Sequence, residues 1–374
     1  MKYQICSQCI MDTSDSGISF DEKGVCKYCQ YNSINILKRQ VSCEKKLNDL
    51  ANKIREQGIG KEFDCILGLS GGLDSSYTAY IAKEVMGLKP LLLHVDAGWN
   101  TEQAVGNIEK LVDGLGLDLF TEVINWEQMK NVQLAFLKSQ IPDQDLPQDA
   151  AFFSSLYNFA KKYRIKYILT GSNYSTECCR EPIEWGGYPG IDKRLFKDIT
   201  EKFSNKHIAA FPLVDIFTYK LYYKYRWGMQ VIHPLNYIPF IKKDAEKLLS
   251  DRFKWVPFLH KHHESRFTRF FEDYWLPRKF GYEKRRAHFS SLIMTHQMTR
   301  EQALKRIASP ELGEYFLKQE FEFVAKKLDI SIEELQSIFN GENVETVHYK
   351  NKALLIKIGI YVMNKLNFDR RLIN

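Results

Sequence analysis

The sequence predicts an α/β protein: a doubly wound parallel sheet, with a small cysteine ribbon before it and a mostly helical region after it. Three observations carry that expectation. Residues 63–67, 90–95, 119–124 and 167–169 are short apolar runs with the length of buried strands. Between them apolar residues recur at helical spacing, as at Val105, Ile108, Leu111 and Val112 within residues 101–115, and again over residues 149–163. Alternation of this kind builds a parallel sheet, and such sheets bind ligands beyond the carboxyl ends of their strands. At the N-terminus, Cys6-Ser-Gln-Cys9 and Cys26-Lys-Tyr-Cys29 form two knuckles separated by 16 residues.

That spacing suits one tetrahedral zinc site with Cys6, Cys9, Cys26 and Cys29 as thiolate ligands. With all four positions filled by sulfur, the zinc is expected to be structural. Turn signals at 14–17 and 21–24 flank the short stretch 18–20, as a small hairpin between the knuckles requires. The ribbon is assigned to residues 1–32 and a helical connector, with Leu47, Leu50 and Ile54 at its apolar positions, to 33–60. Cys43 has no partner in sequence, and Cys65 falls inside the first strand.

A chain of 374 residues can bury a sizeable core and hold two or three units. No run approaches the ~18 apolar residues of a membrane span. Residues 1–9 lack a hydrophobic signal segment, so the expected location is the cytoplasm, where cysteines point to metal or catalysis before disulfides. A formal charge of +7 suits a protein that handles phosphates without demanding nucleic acid.

The first strand runs into Leu67-Gly-Leu-Ser-Gly-Gly-Leu-Asp-Ser-Ser76, with a helix expected from about Ser75. Gly71 and Gly72 let the backbone turn sharply and approach an anion, and the helix N-terminus then faces it. Ser70, Ser75 and Ser76 add hydroxyl donors, while Asp74 is suited to holding Mg²⁺ against phosphate oxygens. No Gly-Lys-Ser/Thr follows, so the turn is not the Walker pattern. It resembles the PP-loop of the N-type ATP pyrophosphatases, which cleave ATP between the α and β phosphates and adenylate a carbonyl oxygen. The resemblance implies a PP-loop domain over residues 61–200, with Ser70, Asp74 and Ser75 as catalytic groups. Two further strand ends carry polar residues, 96–100 and 170–177. By the same resemblance Asp96 and Asn100 are assigned to the nucleotide, and Gly171, Asn173 and Glu177 to the phosphate and metal side.

Cys178 and Cys179 either carry sulfur or simply line a pocket, and the second is the favoured reading. Residues 184–192 read as a glycine-rich loop able to cover a site. Residues 201–374 are assigned to an aromatic and basic substrate region followed by helices. In it, Tyr219, Tyr222, Tyr223, Tyr225 and Trp227 read chiefly as core, and His260, His262 and His263 as non-metal because no His-Glu-x-x-His is present. Arg278, Lys284, Arg285 and Arg286 lie in the most basic segment, where cations could be aimed at a diphosphate or carboxylate. Capping signals appear at Thr299 with Gln302, Ser331 with Glu334, and Ser309-Pro310.

Four stretches together resemble the N-acetyl sugar amidotransferases of bacterial surface-polysaccharide synthesis. They are Cys6-x-x-Cys9-Ile-Met-Asp-Thr, the knuckle after Asp21-Glu22-Lys23-Gly24-Val25, the PP-loop, and Lys279-Phe-Gly-Tyr-x-Lys-Arg-Arg286. The resemblance implies ATP, Mg²⁺ and structural zinc, and conversion of an acetamido to an acetamidino group on a nucleotide-linked sugar. It implies UDP-2,3-diacetamido-2,3-dideoxy-mannuronic acid as substrate, bound by the four cations above. The chain shows no glutaminase signature, so ammonia is expected from a separate glutaminase and a barrel-type synthase-like subunit. The alternatives are a PP-loop tRNA thiolase and a non-catalytic, nucleotide-sensing zinc-ribbon scaffold.

Overall fold

Five strands, β1 (Cys65–Gly68), β2 (Pro90–Asp96), β3 (Leu119–Val123), β4 (Tyr167–Leu169) and β5 (Gln230–Ile232), form one sheet in the order β3-β2-β1-β4-β5. Every pairing is parallel. The computed structural model describes residues 2–32, 44–188, 190–204, 210–310 and 312–365. The chain winds outward from β1 through β2 to β3 and then returns to place β4 on the other side of β1. The strand order therefore reverses between β1 and β4, where a crevice is left at the strand ends. The turn after β1 and the turn after β4 flank that crevice, and these are the PP-loop and residues 170–173.

Alternation along the buried strands feeds two cores. Leu91, Leu93 and Val95 of β2 point to one face with Ile66 and Ile168, while Leu92 points to the other with Cys65, Leu67 and Leu169. On the second face lie α1 (Glu44–Gly58), α2 (Leu73–Tyr80) and α3 (Glu102–Leu115). The first face carries α4 (Trp126–Lys138), α5 (Leu146–Lys162) and, after the four-residue α6 (Tyr174–Glu177), α7 (Lys193–Phe203). Next come α8 (Lys224–Trp227) and α9 (Lys242–Phe253), the latter packing on α2 and α3. The C-terminal part is helical: α10 (Arg266–Phe270), which continues as a wider turn over Phe271–Phe280, then α11 (Arg285–Met294), α12 (Arg300–Ile307), α13 (Glu314–Lys327), α14 (Ile332–Phe339) and α15 (Ala353–Lys365). No helix of the described residues is long and apolar enough to cross a membrane.

Several expectations need correction. β1 starts at Cys65 and not at 63, because Phe63 turns aside to pack edge-on against Tyr163 at 6.1 Å. α2 begins at Leu73, with Gly72 as its N-cap and Asp74 in its first turn, so the helix starts two residues before Ser75. α5 begins at Leu146, ahead of 149, with Pro147 in the first turn where its missing N–H costs nothing. The sequence reading missed α4, α7 and the edge strand β5. Ser309 caps nothing: the next helix starts at Glu314 with Gly313 as N-cap. Thr299 and Gln302 do form the reciprocal capping box, whereas Ser331 caps α14 by accepting from the Glu334 N–H. Residues 184–192 are not free of structure, since Ile183–Trp185 forms a 3-10 turn that buries Trp185 completely. The expected connector is helical over α1, while its first part, with Cys43, lies outside the described residues.

Candidate active site

The loop after β1 has the shape of an anion cradle. Gly71 has φ +81°, and a side chain there would lie 2.5 Å from the Ala104 carbonyl oxygen, so only glycine fits without backbone movement. Gly171 is equally confined, because a Cβ would fall 2.7 Å from the Asp74 carbonyl carbon. The two turns thus press together across the crevice. The N-cap Gly72 offers no side chain to the first N–H groups of α2, which leaves that positive end open to a ligand. Ser70 and Ser75 hydroxyls lie 3.1 Å apart, and the Ser70 hydroxyl also accepts from the Gly72 N–H at 3.3 Å. The loop is held from behind: Trp255 Nε1 donates to the Gly71 carbonyl at 3.1 Å. Ser76 does not join the cradle. It is fully buried, and its hydroxyl has no hydrogen-bond partner among the described residues.

Asp96 and Asn100 meet at the end of β2. Asn100 Nδ2 lies 3.0 Å from Asp96 Oδ1 and 3.0 Å from His94 Nε2, and His94 Nδ1 reaches the Leu69 carbonyl at 3.0 Å. With the amide donating to Nε2, the His94 ring proton sits on Nδ1 and ties the second strand end to the first. Asn173 caps α6 by accepting from the Thr176 N–H at 2.9 Å, and it also lines the neighbouring cavity.

The stretch 260–266 also braces this cradle, and its role was not legible in the sequence. Ser265 bridges Asn100, while the Thr101 N–H donates to the Glu264 carbonyl at 2.9 Å. Glu264 Oε1 accepts from the Ser70 hydroxyl at 3.2 Å. Lys261 Nζ sits between two carboxylates, 3.4 Å from Asp74 Oδ2 and bonded to Glu177. Burial raises the Asp74 carboxyl above its usual range, with Lys261 offsetting only part of that. Burial also works to raise Glu177, but there Lys261 prevails and holds it below the ordinary value. His262, at φ +63° in the left-handed region, bonds Glu272 at 3.1 Å, and His263 Nε2 lies 2.9 Å from Asp273 Oδ2. Burial opposes charge on His262, yet Glu272 raises it to about 9, and His262 in turn helps to lower Glu272 to about 2. The dense run of titratable residues was the available signal.

Two carboxylates converging on one ammonium are a fit donor set for a hard cation, and Asp74 with Glu177 would hold Mg²⁺. At the N-terminus the four Sγ atoms of Cys6, Cys9, Cys26 and Cys29 lie within 4.8 Å of one another and are buried, which fits tetrahedral zinc. Isolated antiparallel bridges Ile5↔Asp12 and Phe20↔Cys26 frame the two knuckles.

Beside the cradle opens a cavity of about 1260 Å³, walled by the ribbon (Asp15, Lys27, Tyr28), by α6 and the residues after it, by 259–262 and by α11. The four basic residues expected to share a substrate do not converge there. Arg278 pairs with Glu314 at 2.6 Å outside the cavity lining. Arg286 is committed to the ribbon, 3.0 Å from Asp12 Oδ2 and donating to the Ile10 carbonyl at 2.9 Å. Lys284 and Arg285 do line the cavity. Lys284, however, is held by Glu181 at 3.1 Å and Glu272 at 3.4 Å, and these acids overcome burial to keep its pKa well above the ordinary lysine value. Near it, burial pushes Asp143 and Asp145 up to about 7 and 6. Cys178 and Cys179 are packed on α11, and burial raises the Cys178 thiol to about 11, as suits lining residues. Of the aromatic group, Tyr223 is core, Tyr219 stacks on Tyr157 and lines the cavity, and Tyr222 and Tyr225 are exposed.

Residues 43–177 match the NAD synthase family, and residues 264–366 match the family described as LPS biosynthesis protein WbpG-like, C-terminal domain. The chain is a PP-loop protein with a WbpG-like C-terminal domain. That pairing supports the N-acetyl sugar amidotransferase family within the PP-loop superfamily. The chain is also 28% identical over 123 residues to the tRNA-specific 2-thiouridylase MnmA 2 of Fusobacterium nucleatum, covering 30% of this chain and 34% of that protein. This PP-loop protein therefore spans about a third of that relative's length. Among solved structures, it is similar to NMN synthetase from Francisella tularensis (18% identity, 59% of this chain, 99% of that one, TM-score 0.28). It is also similar to the NH3-dependent NAD synthetase from Campylobacter jejuni (16% identity, 59% and 100% covered, TM-score 0.29).

Proposed function

We propose that the protein is an AMP-forming amidotransferase that converts an acetamido group of a nucleotide-linked sugar to an acetamidino group. One observation carries the reading: the cavity beside the PP-loop has α11 of the WbpG-like domain as one wall and Glu177 of the PP-loop domain, bonded to Lys261, in another. An amide carbonyl is a poor electrophile, and ammonia does not displace its oxygen unaided. Attack of that oxygen on the α phosphorus of ATP forms the O–P bond and releases pyrophosphate. Ammonia then adds to the activated carbon, loses one proton, and the C–O bond to AMP breaks. The products are the amidinium sugar, AMP and hydrogen pyrophosphate, so one oxygen leaves on AMP and one nitrogen replaces it. In this reading the uncapped start of α2 with Ser70 and Ser75 binds the departing phosphates. Mg²⁺ bound by Asp74 and Glu177 would neutralise charge on those phosphates. Lys261 fixes the two carboxylates and carries charge toward the reacting groups. Asp96 and Asn100 hold the nucleoside side.

The best specific substrate is UDP-2,3-diacetamido-2,3-dideoxy-mannuronic acid. Ammonia is supplied by a glutaminase with a barrel-type synthase-like subunit, and the zinc is structural. Purified protein alone should therefore turn over with high ammonium and not with glutamine. Incubation with Mg-ATP and a panel of UDP-N-acetyl sugars, followed by chromatography for AMP, tests this. AMP is expected only when both ammonium and an accepted sugar are present. AMP formed instead with tRNA and a sulfur donor would move the assignment to the thiolase suggested by the 2-thiouridylase likeness. No ATP turnover even with partner subunits, ammonia and sugar would favour the scaffold.

A further inference from the structure

One lobe of the cavity is lined by cationic and imidazole groups from four separate pieces of chain. Lys242 opens α9, His260 opens the stretch 260–266, Arg285 and His288 lie on one face of α11, and Arg306 lies in the last turn of α12. All five are half-buried. Three of them are tied together: Arg306 lies 3.0 Å from His260 Nδ1, and Arg285 donates to the Arg306 carbonyl at 3.3 Å, while Lys242 lies 3.7 Å from Glu246 on its own helix. Arg306 also covers the Phe289 ring at 4.6 Å, which fixes its guanidinium plane. Glu283 is the acid in contact with Arg285, at 2.7 Å. Burial first, and then His263, Arg306, Arg285 and Lys242, lower His260 to about 3. Burial with Lys261, Lys242, His262 and Arg306 likewise holds His288 well below the ordinary histidine value. Both imidazoles are therefore neutral hydrogen-bonding groups inside a positive field, an arrangement that suits a multiply charged anion.

We propose that this lobe, formed by Lys242, His260, Arg285, His288 and Arg306, binds the diphosphate of the nucleotide-linked substrate. The assignment rests on the functional reading above for the identity of the sugar and replaces Arg278 and Arg286 as substrate cations. It separates two diphosphates: that of ATP at the start of α2, and that of the sugar nucleotide at the α9, α11 and α12 wall. Lys261 adjoins His260 in the chain and reaches Asp74, so the two seats are joined by adjacent residues.

Calorimetric titration of UDP into the full chain, preloaded with Mg²⁺ and a non-hydrolysable ATP analogue, tests this. Lys242→Gln and Arg306→Gln should each weaken UDP about tenfold, and the pair more, because each removes a charge-assisted hydrogen bond. Lys242→Arg should keep UDP affinity, and the ATP analogue should bind every variant as it binds the wild type. Unchanged UDP affinity in both Gln variants would overturn the assignment. So would parallel loss of the ATP analogue, since the lobe would then belong to the ATP seat, and so would equal weakening by Lys242→Arg. Titration with pyrophosphate and orthophosphate separates the diphosphate from a lone phosphate: orthophosphate binding as tightly as UDP would also count against it. UDP held in the lobe without any sugar turnover would keep the lobe and refute the amidotransferase. Sugar turnover with UDP affinity indifferent to these residues would do the reverse.

Discussion

At the residue scale the account turns on Lys261 and its neighbours. Lys261 keeps Asp74 and Glu177 side by side, so Lys261→Met should leave two juxtaposed carboxylates and lower AMP formation by about a hundredfold or more. Steady-state assays at saturating ATP check this, and activity near wild type would remove Lys261 from the site. The His262–Glu272 pair carries a pH signature. His262 is raised from 6.5 to about 9, so its contribution to stability is complete below 6.5 and is lost as pH rises through about 9. Glu272 is lowered from 4.5 to about 2, so its contribution is present above 4.5 and is lost as pH falls through about 2. The gap in thermal midpoint between wild type and His262→Gln should therefore be widest near pH 5–6 and close toward pH 10. A gap constant with pH would contradict the pairing. The His262 side chain is 41% exposed, so solvent screening tempers the size of the effect. These residues were visible in the sequence as an unusually dense titratable run, but their partners Asp74, Glu177 and Glu272 are set by long-range packing that no local pattern encodes.

At the element scale, the PP-loop owes its shape to what stands behind it. Trp255, just past the end of α9, bonds the Gly71 carbonyl. Trp255→Phe keeps most of the packing but removes the donor, which should cost about 1 kcal/mol in stability and raise the KM for ATP. Denaturant unfolding and ATP kinetics measured together check it; a stability loss with unchanged KM would make Trp255 a packing residue only. The loop itself was legible because its glycines answer a local demand: φ +81° at Gly71 and backbone contact at Gly171 are conditions that sequence spacing can betray. The first four strands were legible for the same reason, being short apolar runs. β5 was not, since a three-residue edge strand with exposed Gln230 has too little apolar pattern to register. α4 and α7 were passed over between clearer strands. The basic run 278–286 misled because charge density says nothing of direction: a wide helical turn and a helix start send Arg278 to Glu314 and Arg286 to the ribbon.

At the scale of the whole molecule, the four-cysteine ribbon is part of the cavity wall and not an appendage. It supplies Asp15, Lys27 and Tyr28 to the cavity wall, and it is clamped by Arg286 on Asp12 and by Arg300 on the Cys6 and Cys9 carbonyls. Four buried thiols at this separation predict about one zinc per chain. Its removal by a chelator should lower the thermal midpoint and raise the KM for the sugar nucleotide more than that for ATP, as read by metal analysis and paired kinetics. A loss confined to ATP would place the ribbon elsewhere in the mechanism. The four cysteines announced the ribbon in the sequence, whereas its docking against α11 and α12 depends on contacts nearly 300 residues apart in the chain. Mass spectrometry of the sugar reads whether the PP-loop and the WbpG-like domain act on one acetamido group in one cavity. After incubation with Mg-ATP and ammonium, AMP and a sugar nucleotide lighter by about one mass unit are expected, the exchange of O for NH, with the loss cancelled when ¹⁵N-ammonium is used. A sugar of unchanged mass in every incubation, with AMP released on tRNA instead, would contradict it.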